Sequence, residues 1–175
     1  MDGNRLTDTN GHEVSISFKY GTIEDQKTQS FYNNRSDQID SYDYYKVRGD
    51  ENGTALFEFM SDHTTVEVGH TKLGNEGAKG LNYISTSHEE TRESGAASLI
   101  MGQFRHGYNI REFNHSHPNN PFPSGLNDGS KDINMSRVIT RIATSQGMNA
   151  PTFNIYYTPT RRYVPFTPNS VRSDF

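Results

Sequence analysis

The chain contains no cysteine, which excludes a disulfide framework, a thiolate metal site and a cysteine nucleophile, and leaves the redox compartment unmarked. Apolar material is scarce as well. Only 31% of the 175 residues are hydrophobic and the mean hydropathy is -0.87, against roughly 45–50% apolar residues, glycine included, in ordinary soluble domains. One domain with a poorly packed arm or loop is expected, not two domains. No apolar run approaches the roughly 18 residues that a membrane span requires. Met1-Asp2-Gly3-Asn4-Arg5 is not followed by the apolar stretch of a secretory signal, so this chain is expected to carry neither a span nor a signal peptide. A basic excess is also missing: the formal charge is -4 and the pI is near 5.9. No nucleic-acid partner is therefore expected. Aromatic residues are plentiful. Ten Tyr and ten Phe can each bury on the order of 150–250 Å² and supply core area that the aliphatic residues do not.

Residues 1–50 read as a connector or arm, polar and rich in Asp, Asn, Gly, Ser and Tyr. Within it Val14-Ser15-Ile16-Ser17-Phe18-Lys19-Tyr20 alternates with period two and predicts a strand, and a second short strand is expected near Tyr44 to Val47. The stretch through Asn33-Asn34-Arg35-Ser36-Asp37 has no sustained period. Tyr42, Tyr44 and Tyr45 are either a partner-binding patch or the contact by which the arm packs on the rest. From residue 51 onward the pattern is that of a folded domain. A short helix is expected over Thr54 to Ser61 after an Asn52-Gly53 turn, a strand over Thr64 to His70, a glycine-rich turn to Gly80 and a strand over Leu81 to Thr86. A helix follows from Glu89 to Arg105, with Glu89 and Glu90 in its first turn. A strand from Tyr108 to His117, a loop from Asn119 to Lys131, a helix from Asp132 to Ser145 stopped by Gly147, and two closing strands complete the chain. Strands interspersed with helices predict an α/β layer structure.

His115 and His117 stand two residues apart at the end of a predicted strand. Side chains at i and i+2 of a strand leave the same face, with Cα atoms roughly 6–7 Å apart, so both imidazoles can meet one metal ion. A catalytic zinc takes three protein ligands and keeps one position open. Asp128 and Asp132 are the candidates for the third; Asp132 is favoured because it opens a helix that fixes its backbone.

His115-Ser116-His117-Pro118, followed by a serine and then an aspartate at the head of a helix, closely resembles the H-x-H-P…S-x-x-D signature of the JAMM/MPN+ zinc metallopeptidases. That resemblance implies an α+β layer structure of the MPN/cytidine-deaminase kind, with a central mixed sheet flanked by helices. It implies Zn2+ as cofactor and hydrolysis of peptide or isopeptide bonds, substrates with a ubiquitin-like modifier among them. By the same resemblance His115, His117 and Asp132 hold zinc and Glu67 is the general acid/base, with Glu58 as its competitor. Ser124 or Ser130 assists the oxyanion. The spacing departs from the common pattern, since five residues, Asn119 to Pro123, and not six separate Pro118 from Ser124. Asp128 then sits at the usual aspartate distance, whereas Asp132 keeps the passage into helix.

The longer stretch Asn114-His115-Ser116-His117-Pro118-Asn119-Asn120-Pro121-Phe122-Pro123-Ser124-Gly125, with the closing Phe153-Asn154-Ile155-Tyr156-Tyr157-Thr158-Pro159, resembles the JAB-like toxin domains at the C-termini of bacterial Rhs and related polymorphic toxins. This implies a toxin module delivered as part of a larger secreted polypeptide, with a protein or peptide substrate and an immunity protein as partners. A catalytically inactive MPN-like protein-binding module is the alternative reading, and nuclease action through the histidines a more remote one.

Overall fold

The computed structural model describes residues 2–33 and 37–175. Met1 and the segment 34–36 of the aperiodic stretch lie outside the described residues. A seven-stranded sheet occupies the centre, in the order β3 (Ile23–Asn33), β4 (Gln38–Arg48), β6 (Leu81–Thr86), β5 (Gly69–Leu73), β7 (Ile110–His117), β8 (Thr152–Tyr157) and β9 (Arg162–Phe166). Neighbours are antiparallel except β7 and β8, which run parallel. α1 (Asp50–His63) covers one face, and α2 (Ser94–Arg105) and α3 (Lys131–Ser145) cover the other. The mixed, helix-flanked α+β layer structure expected from the sequence is present.

Each face has its own core because successive strand residues point to opposite sides. On β8, Phe153 and Ile155 join Phe113 beneath Ala96, Ile100 and Phe104 of α2 and Ile133, Ile139 and Ala143 of α3. Tyr156, the residue after Ile155, faces the other way and packs with Val47, Ile84 and the Leu56, Phe57 and Met60 stripe of α1. The hairpin of β1 (Asp2–Thr7) and β2 (Glu13–Phe18) forms a separate two-stranded sheet that adds Phe18 to this second core. A parallel pair needs a crossover, and α3 supplies it between β7 and β8. The C-terminal end of β7 and the N-terminal end of α3 are thereby brought together, the place where open α/β sheets build their sites.

Several expectations are corrected. The polar first fifty residues hold four strands, not two, and β3 and β4 belong to the central sheet. Tyr42 is the reason: only 1% exposed, it lies where a Cβ on Gly95 of α2 would come within 2.3 Å of its own Cβ, so the hairpin seats directly against that helix. The Asn52-Gly53 signal is not a turn but part of α1. A Cβ on Gly53 would meet the Asn82 side chain at 2.4 Å, and the missing side chain serves close helix-to-sheet approach. The expected strand over Thr64 to His70 is displaced, since β5 begins only at Gly69. α2 starts at Ser94 and not at Glu89, because the Glu93 carboxylate accepts from the Ala96 N–H at 2.8 Å and caps the helix there. Among the described residues no helix is long and apolar enough to cross a membrane.

Candidate metal centre

Three separate segments build the site. β7 turns Phe113, His115 and His117 toward α2 and α3, and both imidazoles are buried, 4% and 6% exposed. Glu67 lies in the irregular segment just ahead of β5, not on the strand anticipated for it, and hydrogen bonds replace strand pairing in holding it. Its N–H donates to Glu89 O at 2.9 Å and its carbonyl accepts from Thr86 Oγ1 at 3.1 Å. The next residue, Val68, exchanges two bonds with Ser116, N–H to Oγ at 2.9 Å and carbonyl from N–H at 2.9 Å. Ser116, the middle residue of the H-x-H motif, thus ties the Glu67 segment to the strand that carries the histidines.

Asp132 sits in the first turn of α3, where the helix dipole favours a carboxylate. Ser124 donates to its Oδ2 twice, from N–H at 2.6 Å and from Oγ at 2.7 Å. The loop between closes at Gly125, whose φ of +86° and whose missing Cβ, which would fall 1.9 Å from Ser130 O, both require glycine. Asp132 Oδ1 then lies 3.4 Å from His115 Nε2, and His117 Nε2 lies 3.7 Å from Asp132 Oδ2 and 3.8 Å from Glu67 Oε1. One ligand atom each from Glu67, His115 and His117 falls within 4.8 Å of the others.

These residues fit a metal ion. His115 Nε2 is buried without a hydrogen-bond partner, and a tetrahedral ion at about 2.0–2.2 Å from N and O donors holds those donors roughly 3.3–3.5 Å apart. The 3.4 Å separation of His115 Nε2 from Asp132 Oδ1 is long for a charge-assisted hydrogen bond and right for a shared cation. The electrostatics agree. Burial and the neighbouring His115 charge push the His117 pKa down to about 4, which leaves a lone pair free at neutral pH. Burial works against His115 too, but the charge and contact of Asp132 and then the charge of Glu67 raise it. Burial likewise opposes ionisation of Asp132, and the His115 charge with the two Ser124 bonds holds it well below the usual carboxylate range. Glu67 is pushed up to about 7, by burial first, with the His115 charge opposing and Asp132 reinforcing.

The site floors a cleft of about 1150 Å³ between α2 and α3. Glu67, His115, His117, Ser124 and Asp132 all line it. The competitors are elsewhere: Glu58, on α1, accepts from Tyr163 at 3.0 Å, and Asp128, exposed, accepts from the Ser130 N–H at 2.9 Å. Neither Asp128 nor Ser130 lines the cleft. Sequence reasoning passed over Glu93, a cleft-lining carboxylate that accepts from Ser85 Oγ at 2.9 Å as well as capping α2. Glutamate is not a usual N-cap residue, so no local signal marked it.

A mixed sheet with helices on both faces, and two histidines and two carboxylates gathered at the end of a parallel strand, define a candidate metal-binding α+β domain. A family model described as JAB-like toxin 1 matches residues 45–137, more than half of the chain, and the chain belongs to that family. No curated protein and no solved structure shows significant similarity to it.

Proposed function

We propose that this chain is a zinc-dependent peptide or isopeptide hydrolase, the toxin module of a larger secreted bacterial polypeptide of the Rhs kind. One observation carries the reading: Glu67, Asp132 and the buried His115 and His117 converge at the floor of an open cleft, with His115 Nε2 free of any hydrogen bond. Membership of the JAB-like toxin family supports it.

His115, His117 and Asp132 would hold the ion, which when bound supplies a Lewis acid for the scissile carbonyl and a water of lowered pKa. Glu67, its backbone pinned on both sides, is placed to take a proton from the attacking water and return it to the leaving amine. Ser124 has two donors on Asp132. Its hydroxyl can turn to a developing oxyanion while its N–H keeps the carboxylate in place.

Zinc measured on protein purified without added metal should approach one ion per chain. Glu67→Gln should retain that zinc and lose about 10²–10⁴-fold in peptide hydrolysis; full activity in this variant would remove Glu67 from its role. Expression in bacterial and in eukaryotic cells, each against a His115→Ala/His117→Ala control, should show growth arrest that depends on the histidines in at least one host. Equal growth in both would overturn the toxin assignment.

A further inference from the structure

Away from the metal centre the cleft has a chemistry of its own. Met101 on α2 and Met135 on α3 line it and are partly buried against the core beneath the helices. Their thioether surface, flexible and polarizable, suits apolar side chains of varied shape. Arg92, Arg105 and Lys131 also line the cleft, and among the described residues none of the three has an ion-pair partner within 4.0 Å. The exposed carboxylate on this wall, Glu90, accepts from Thr65 Oγ1 at 3.4 Å. The cleft is also lined by Glu67, Glu90, Glu93 and Asp132, but Arg105 stands at the end of α2 away from the carboxylates of the metal centre, and there it calls for an anionic group on the occupant.

The order along the helices sets a register. The N-terminal end of α2 lies at the metal centre, where Glu93 and Ala96 approach Gly69, the cross-strand partner of His115. Met101 follows, and Arg105 lies one turn beyond it. The four residues from Met101 to Arg105 advance about 6 Å along the helix, and an extended chain covers that distance in about two residues.

We propose that the cleft is a trough for an extended polypeptide segment. A large apolar side chain sits between Met101 and Met135, and an acidic residue about two positions further from the metal centre meets Arg105. The proposal rests on the peptidase reading in taking the occupant to be polypeptide, and it narrows the substrate class to acidic, apolar-anchored segments.

Binding is read on the 175-residue chain carrying Glu67→Gln and loaded with zinc, by fluorescence anisotropy of fluorescein-labelled Gly/Ser peptides. One peptide holds Leu and, two positions on, Glu; a second replaces Glu by Lys; a third replaces Leu by Ser. The Leu/Glu peptide should bind at least ten-fold more tightly than either of the others. Arg105→Glu, on an exposed position, should reverse the Glu-over-Lys order, and Met135→Glu should abolish the advantage of Leu, both with unchanged circular dichroism. Equal affinities for the three peptides, no saturable binding, or an order that survives Arg105→Glu would overturn the proposal. Parallel cleavage assays on the unsubstituted protein separate the two ideas. Selective binding without hydrolysis of any peptide removes the peptidase reading and leaves the trough, whereas hydrolysis without preference removes the trough and leaves the peptidase.

Discussion

The two faces of the central sheet each bury a histidine on neighbouring strands, and they use it in opposite ways. His70 on β5 is fully buried under α1. Its Nε2 meets Asn82 Oδ1 at 2.9 Å, while the Asn82 amide reaches Gly49 O at 3.1 Å and Asp50 Oδ1 at 3.3 Å. Asp50 in turn takes Arg111 at 2.8 Å, so the ring is one member of a hydrogen-bonded network. His115 on β7 is nearly as buried, yet neither of its ring nitrogens has a hydrogen-bond partner, and the Asp132 carboxylate faces its Nε2 at 3.4 Å at the bottom of a cleft. Burial alone does not make a histidine functional. What distinguishes the two rings is the company they keep: His70 Nε2 is tied into a hydrogen-bonded network, whereas His115 Nε2 faces the Asp132 carboxylate and lies beside His117 and Glu67.

Removing both cleft histidines is the harshest way to sharpen this contrast. His115→Ala/His117→Ala should reduce bound zinc from about one ion per chain to background in metal analysis, while His70→Gln should leave the zinc content unchanged. Loss of zinc from the His70 variant would break the distinction between the faces.

Acid is the next lever. Burial, and secondarily Lys72, lower the His70 pKa from 6.5 to about 4, against the opposing Asn82 bond and the charges of Glu112 and Asp50. The unfolded chain therefore takes up a proton near pH 6.5 while the folded one does not until about pH 4, so stability falls as pH drops through that window. At 1.36 kcal/mol per unit the loss from this group is on the order of 3 kcal/mol. Urea unfolding of His70→Gln should show a correspondingly flatter dependence between those two pH values than the unsubstituted protein. Identical slopes would mean that another group carries the acid sensitivity.

A smaller effect is expected from Asn82→Ala, which leaves His70, the Gly49 carbonyl and part of Asp50 unpaired. It should cost about 1–3 kcal/mol in unfolding free energy without altering zinc affinity. Ser124→Ala should do the reverse. Stability should hardly change, but zinc affinity, measured by competition with a chelator, should fall about 10–100-fold because Asp132 loses a bond that orients it.

Much of the site was legible in the sequence because its chemistry is local. The His115/His117 spacing, the strand that ends on them, the loop after Pro118 and the helix that carries Asp132 follow from residue types and periods within a stretch of the chain. β6 matched its anticipated bounds of Leu81 and Thr86 because it is β-rich and flanked by turn signals. Glu67 was chosen over Glu58 by context, and the structure puts Glu67 at the cleft and Glu58 on the opposite face, bonded to Tyr163. Where local signals and packing disagreed, packing won. Gly53 reads as a turn former until Asn82 occupies the space of its missing side chain, and Glu89 and Glu90 read as a helix start until Glu93 caps the helix later.

By itself the sequence determined which chemistry was available: a paired-histidine motif, carboxylates to complete it, no thiols and no basic field. Tertiary structure decided which aspartate and which glutamate face the histidines. It drew the polar strands β3 and β4 into the central sheet through Tyr42, and it placed Arg105 and the metal-centre carboxylates along one cleft. The physical reason is the range of the forces. Residue types and strand or helix periods act over a few neighbours, but convergence of positions 67, 115, 117 and 132 depends on parallel pairing of β7 with β8 and on a crossover helix, contacts that no local stretch of sequence contains.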